Sequence, residues 1–429
     1  MKLVLHIGTE KTGTTSFQRW AYANGDALRR DGVWHSKALT LPDNRALAVI
    51  ARDPDKAEDG FHLFGITDEA SHAAFRAEIE AALAADVAEA RAAGMRIYLV
   101  SNEHLQSRLF TQEMVDRVAA IMRPHFDEIE VICFLRPQLD TAVSLASTGS
   151  RVGLKIQRSQ FETLQAGSAY YNFQALLDRW ADAFGKENVT PVAFKRNKNT
   201  VAYFRERLAL SGTDYQPEMR LNSALDFRAI AIGNQLNLPR FLEDGRHNPN
   251  RQFYMEEIPF EAPLTLSRDF GMAVHERFEP FNAEIAAAWP EITEEDLTPD
   301  WERYPEQGTL DLLEDCDLGP ALRYVVQKFN ADLYLARAQT DFAKARLADR
   351  NRDFEIALSL LDAARKKTEA AAIFEPSAAR AAEVQGDITR FRGKVVERSK
   401  DGKGAGAANA RTAKRKGWTL MSLVGRKAR

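Results

Sequence analysis

With only two cysteines in 429 residues, Cys133 and Cys316, the chain has neither a disulfide framework nor a cysteine-built metal cluster. Cys133 falls in an apolar run read as a buried strand, and both thiols are expected to be reduced and inert. No apolar run approaches the roughly 18 residues that a membrane span requires. The first residues read as a strand, without the charged lead and small-residue cleavage site of a secretory signal, so the chain is expected in the cytoplasm. Residues 320–390 are helix-forming, but no period recurs there, which argues against a solenoid. Net charge is small at −3, but it is unevenly spread. Residues 391–429 carry 12 Lys and Arg against Glu397 and Asp401, so this tail is +10 while residues 1–390 are −13. The body therefore does not read as a nucleic-acid binder.

What is present is concentrated in LHIGTEKTGTTSFQRW, Leu5 to Trp20. Lys2 to Ile7 is apolar enough for a buried strand. Phe17, Trp20, Ala21, Asn24 and Leu28 then recur at helical spacing, so a Gly- and Thr-rich turn sits at a helix N-terminus. Such a turn points unpaired backbone N–H groups and the positive end of the helix dipole at an approaching anion. An NTPase loop of the form GxxxxGK[ST] places lysine directly after the second glycine and a hydroxyl on magnesium. Gly8 and Gly13 keep that spacing, but Thr14 occupies the lysine position, the lysine has moved to Lys11, and no aspartate-rich metal-holding strand follows. This suits a nucleotide with a shorter anionic chain and no obligatory metal.

The segment GTEKTGTTSFQ resembles the 5′-phosphosulfate loop of the sulfotransferases that use 3′-phosphoadenosine 5′-phosphosulfate, PAPS. A second motif fits the same family. EVICFL, Glu130 to Leu135, reads as a buried strand running into Arg136, Pro137 and a helix-compatible segment through Ser147, with proline suited to the first helical position. Arg136 and Ser144 stand eight residues apart. In the resembled family an arginine and a serine at this spacing hold the 3′-phosphate, for which a guanidinium fork and a hydroxyl are apt donors. YNFQALLDRWADAFGKENVTPVAFKR likewise resembles a helix–strand unit of bacterial sulfotransferases. The resemblance implies a P-loop NTPase-like fold and sulfuryl transfer from PAPS without a metal. It also implies roles: the N–H groups of Thr12, Gly13, Thr14 and Thr15 on the phosphosulfate, Lys11 on the leaving oxygen, and hydroxyl donors at Thr14 and Thr15.

After the first helix come GVWHSK, residues 32–37, and an irregular stretch to about Thr67. Stretches of that length without periodicity are often functional. Trp34, His35 and Phe61 are candidates there for acceptor contact, or for plain loop anchors. Asp68 to Ala93 reads as an amphipathic helix with Phe75, Ile79, Leu83 and Val87 on one face and Gly94 at its end. It feeds a strand, Arg96 to Ser101, followed by Asn102, Glu103 and His104. Groups just beyond a strand's carboxyl end lie where ligands bind in open α/β sheets, so Glu103 and His104 are candidates for the base that takes the acceptor's proton. In the resembled family, members acting on polysaccharides carry a glutamate in a comparable setting. Helices over Gln112–Met122, Tyr171–Phe184 and Thr200–Leu210 and a strand over Val189–Phe194 complete at least four strands alternating with helices, the pattern of a parallel sheet covered on both faces. Arg151, Lys155 and Arg158 read as a solvated face or a segment over the nucleotide. Arg246 and Arg251, in DGRHNPNRQF, are weaker candidates for nucleotide contact, and Leu264 to Pro290 reads as helical.

The expected organisation is an α/β domain over residues 1–300, a helical extension over 301–390 and a basic tail over 391–429. Asp401 to Arg415 is expected to be disordered. WTLMSLVG, Trp418 to Gly425, lies between basic clusters and is compatible with peripheral contact to an anionic membrane face, each lysine adding about 1 kcal/mol. The sequence supports a transferase acting on a hydroxyl or amine of a carbohydrate or glycan. Two other classes stay open: a kinase or NTPase using Mg-ATP, and a non-catalytic module that binds nucleotide or glycan.

Overall fold

The computed structural model describes residues 1–56, 59–218, 224–236 and 255–406, with side chains through residue 400. Five strands, β1 (Lys2–His6), β2 (Val33–His35), β3 (Ile97–Ser101), β4 (Glu128–Leu135) and β5 (Val189–Ala193), form one sheet in the order β2-β3-β1-β4-β5. Every pair is parallel, so each connection must cross over, and helices on both faces do so.

Side-chain alternation divides the strands between two cores. Leu3, Leu5, Tyr98, Val100, Val131, Cys133 and Leu135 enter one cluster with the helices Glu69–Ala92, Gln112–Met122 and Phe173–Phe184. Val4, Ile97, Leu99, Ile132, Phe134 and Val192 enter the other with Phe17, Trp20 and Phe204. The Glu69–Ala92 helix starts at a reciprocal cap between Asp68 and Ser71 and ends before Gly94, whose φ of 71° only glycine adopts freely.

The chain leaves β1 toward β2 on one side and leaves β4 toward β5 on the other. The carboxyl ends of β1 and β4 thus flank the point where the winding reverses, the place where open parallel sheets bind ligands.

Some expectations change. The stretch to Thr67 contains the short strand β2 and the helices Ala46–Ala51 and Asp59–Leu63. Every residue of Ala46–Ala51 is buried, so it has no polar face to create a helical period. Leu264 to Pro290 is two helices, Arg268–His275 and Glu279–Ala288. Pro280, without an N–H to bond back, forces the break. The first compact unit ends at Leu318, so residues 301–318 belong with the sheet rather than with the extension.

The second unit begins at Gly319 and is built from helices Gly319–Arg350, Phe354–Ala372 and Glu375–Gly406. Ala338 and Ala345, together with Ile388 and Val395, repeat every seventh residue along its seam, and small residues let the helices approach closely. The last helix continues to Gly406, so 401–406 are helical where disorder is expected. Extending an existing helix costs far less than nucleating one. Among the described residues no helix is long and apolar enough to cross a membrane. Arg246, Arg251, Trp418–Gly425 and the remainder of the basic tail lie outside the described residues.

Candidate functional site

The β1–β4 ladder continues past the strands, and that continuation fixes the loop. Ile7 N donates to Ile132 O, Phe134 N to Gly8 O and Thr9 N to Phe134 O, so the chain leaves β1 bound to the end of β4. Left-handed conformations at Gly8 (φ 100°), Lys11 (φ 67°) and Gly13 (φ 83°) then fold the loop back onto the Thr14–Ala23 helix. Its hydroxyls and carbonyls are engaged from behind. Thr12 Oγ1 donates to Thr9 O at 2.6 Å, Thr200 Oγ1 donates to Thr12 O at 2.6 Å, and Arg136 Nη1 donates to Lys11 O at 2.9 Å. By contrast, the N–H groups of Thr12, Gly13, Thr14 and Thr15 have no partner among the described residues. They form an open nest at a helix N-terminus, an arrangement suited to an anion.

Lys11 stands at the edge of this nest, half-buried, and donates from Nζ to Thr148 Oγ1 at 2.9 Å. Burial lowers its pKa, Arg151 and Arg136 lower it further, and Glu10 and Glu103 oppose them. Arg136, at the end of β4, is lowered chiefly by burial and also by Arg303, with Asp140 opposing. Cations crowded together in partly dry surroundings are stabilised by negative charge brought near them.

Arg136 and Ser144 open onto one cavity of about 380 Å³, also lined by Asp140, Ser147, Arg303 and Tyr304. Arg136 is at the strand end and Ser144 lies on the following helix, Gln138–Arg151. Tyr304 Oη donates to Asp140 Oδ1 at 2.6 Å, and Arg303 lies 3.8 Å from Asp140 Oδ2. A depression of about 480 Å³ at the opposite ends of the strands is lined by Lys2, Arg123, Glu128, Glu130 and Arg207. There Glu130 already pairs with Lys2 and Arg207, so that surface is internally neutralised.

Glu103 follows β3 and rests against the loop. A Cβ added to Gly8 would stand 3.1 Å from both its Cα and Cβ. Its carboxylate accepts from Gln18 Nε2 at 2.7 Å. Burial raises its pKa most, Glu10 and Asp43 add to this, and its own backbone and Gln18 oppose them. His104 has no partner for Nδ1 among the described residues and is pushed down to about 3 by burial, then by Arg45 and Arg108.

The ten residues singled out in the sequence thus fall into two adjoining groups. Gly8, Lys11, Thr12, Gly13, Thr14 and Thr15 form the loop with Glu103 and His104 at its flank, while Arg136 and Ser144 face the cavity. Trp34, His35 and Phe61 are instead buried anchors. Trp34 Nε1 donates to Asp86 at 3.0 Å, Phe61 stacks on His72, and His35 is buried at 8% exposure, so none presents itself at the surface to an acceptor. Arg151 is not a solvated residue, being 15% exposed and paired with Glu256. Arg158 lies 3.8 Å over the Phe270 ring. Sequence reasoning missed Thr200, Gln18, Asp140, Arg303 and Tyr304. Asp140 was accessible, one turn from both Arg136 and Ser144, whereas Arg303 and Tyr304 reach the cavity only through the fold. The chain matches no family model, no curated protein and no solved structure.

Proposed function

We propose that this chain is a P-loop-type sulfotransferase that moves a sulfuryl group from PAPS to a hydroxyl or amine of a carbohydrate-like acceptor. The observation that carries the reading is the 2.9 Å hydrogen bond from Arg136 Nη1 to Lys11 O. It joins two anion-seeking groups, the N–H nest and the Arg136–Ser144 cavity, at the point where the sheet's winding reverses. A donor with a phosphosulfate at one end and a separate 3′-phosphate at the other needs two such groups side by side. Arg303 adds a second guanidinium to the cavity and takes the closing part for which Arg246 and Arg251 are the sequence candidates.

In this reading Thr12 to Thr15 orient the phosphosulfate through their N–H groups, and Lys11 stabilises charge on the bridging oxygen as its bond to sulfur breaks. A new bond forms between that sulfur and the acceptor oxygen or nitrogen, and Glu103 takes the acceptor's proton. Glu103 is the better base of the two candidates, because its pKa is raised while that of His104 falls to about 3.

The test is a thermal-shift titration with 3′,5′-ADP (PAP), the desulfated product, against AMP and Mg-ATP. Ligand at 100 times its Kd adds about 2.7 kcal/mol to stability. Stabilisation by PAP alone, lost in Arg136→Ala, is expected. A response to Mg-ATP and none to PAP would replace this reading with a kinase or NTPase.

A further inference from the structure

We propose that Gln18 is the positioning residue for Glu103, its one amide nitrogen shared between the carbonyl that ends β3 and the carboxylate that follows it. The proposal rests on the reading of Glu103 as the base. Gln18 is one turn beyond Thr14 on the helix that the loop opens, and it is 2% exposed. Nε2 donates to Ser101 O at 3.1 Å and to Glu103 Oε2 at 2.7 Å. Both partners are acceptors, so the nitrogen and not the amide oxygen faces them, and both of its hydrogens are used. The anchor is rigid on each side. Ser101 N donates to Asn44 Oδ1 at 3.0 Å and Ser101 Oγ lies 2.8 Å from His6 Nδ1.

The same helix therefore carries the anion nest at its first turn and holds the base at its second. Nest and base are fixed relative to one another without a flexible linker, the pre-organisation that group transfer requires. The hydrogen bond also favours the ionised carboxylate over the protonated one. The charged and titratable groups around Glu103 are Glu10 and Lys11 from the loop, Asp43 from the segment before Ala46–Ala51, and His104 beside it. Glu10 and Asp43 disfavour its ionisation, as does burial, and Gln18 works against all three. A purely structural glutamine would affect unfolding and leave Glu103's titration alone.

The experiment follows the Glu103 carboxyl directly in the full chain, by NMR of protein labelled with carbon-13 at the glutamate side-chain carboxyl and assigned with Glu103→Gln. In Gln18→Met, which keeps the bulk and removes both donors, the midpoint is expected to rise by about one pH unit. In the isosteric Gln18→Glu, where two carboxyls compete for one proton, it is expected to rise further. Gln18→Glu decides the matter should Gln18→Met fail to fold. Midpoints unchanged from wild type overturn the proposal. In turnover, kcat of Gln18→Met is expected to fall by about ten- to a hundredfold with KM for PAPS and the PAP thermal shift retained. An unchanged kcat also overturns it. A wild-type chain that ignores PAP overturns the sulfotransferase reading instead, and the carboxyl titration still decides whether Gln18 holds Glu103.

Discussion

The hydroxyl of Thr200 lies 2.7 Å from where a Cβ on Gly13 would stand, and it donates to the carbonyl of Thr12 at 2.6 Å. A residue opening the helix after β5 thereby clamps the loop that follows β1. Gly13 also needs its φ of 83°. Gly13→Ala meets both obstacles and is expected to cost about 1–3 kcal/mol and to abolish PAP stabilisation. Thr200→Val, which removes the clamp without adding bulk, is expected to cost about 1 kcal/mol and weaken PAP severalfold. Urea unfolding and thermal shift check both.

Gly8 shares the positive φ, at 100°, and meets a further obstacle. A methyl group there would press on the Cα and Cβ of Glu103 at 3.1 Å, so Gly8→Ala must displace either the loop or the base. If the proposed function holds, turnover is expected to fall more steeply than PAP affinity, because the nucleotide contacts proposed for Arg136 and Ser144 do not involve Gly8 or Glu103. Equal losses in kcat and PAP affinity would place the disturbance in the loop alone.

Arg303 is 61% exposed on its side chain, whereas Arg136 is buried deeply enough for its pKa to be lowered. A solvated guanidinium is screened, so Arg303→Ala is expected to weaken PAP by only about three- to tenfold, and Arg136→Ala by a hundredfold or more. Calorimetric titration at two salt concentrations separates them, since the Arg303 contribution is the one that salt removes.

The parts of this site that could be read from sequence are those set by local rules. A glycine pair with a displaced lysine, a strand running into Arg136-Pro137, and a carboxylate after an apolar run are each written in consecutive residues. The Glu69–Ala92 and Gln112–Met122 helices were legible for the same reason, since amphipathic period and caps are local. Strand β2 was not, because three residues are too few to display an alternation. Trp34, His35 and Phe61 could be read as acceptor contacts or as loop anchors, because an aromatic in an aperiodic stretch gives no hint of what buries it, and the fold makes them anchors. Arg303 and Tyr304 join the cavity through contacts between distant segments, and only the folded chain brings them beside Asp140.

His6 and His35 are buried as neutral imidazoles with pKa values of about 3 and about 4, chiefly through burial. Nε2 of each has no hydrogen-bond partner among the described residues, and at His35 the opposing effects of Asn44 and Asp86 are outweighed by burial. The unfolded chain takes a proton at each near pH 6.5. Below this pH the unfolded state binds more protons than the folded one, and stability falls as pH falls, by about 1.4 kcal/mol per unit for each histidine until the folded pKa is reached. Urea midpoints are therefore expected to drop between pH 7 and pH 5. His6→Leu, whatever its own stability, should show a shallower pH slope; an unchanged slope would mean that His6 is not held neutral.

The first unit runs to Leu318, past residue 300 where the sequence leads one to expect its end. Between them, Tyr304, Leu310, Leu313 and Leu318 are buried. Leu310 N donates to Thr265 O and Arg268 N to Pro305 O. A chain cut after residue 300 leaves those partners unpaired and strips apolar surface from the sheet domain, at about 1.5–3 kcal/mol for each large side chain lost. It is expected to aggregate or to melt far below the full chain. A chain ending at Leu318 keeps every one of these contacts together with Arg303 and Tyr304, and is expected to fold and to retain the PAP thermal shift. Failure of the longer truncation to fold would show that the helices from Gly319 onward are needed for the stability of the sheet domain.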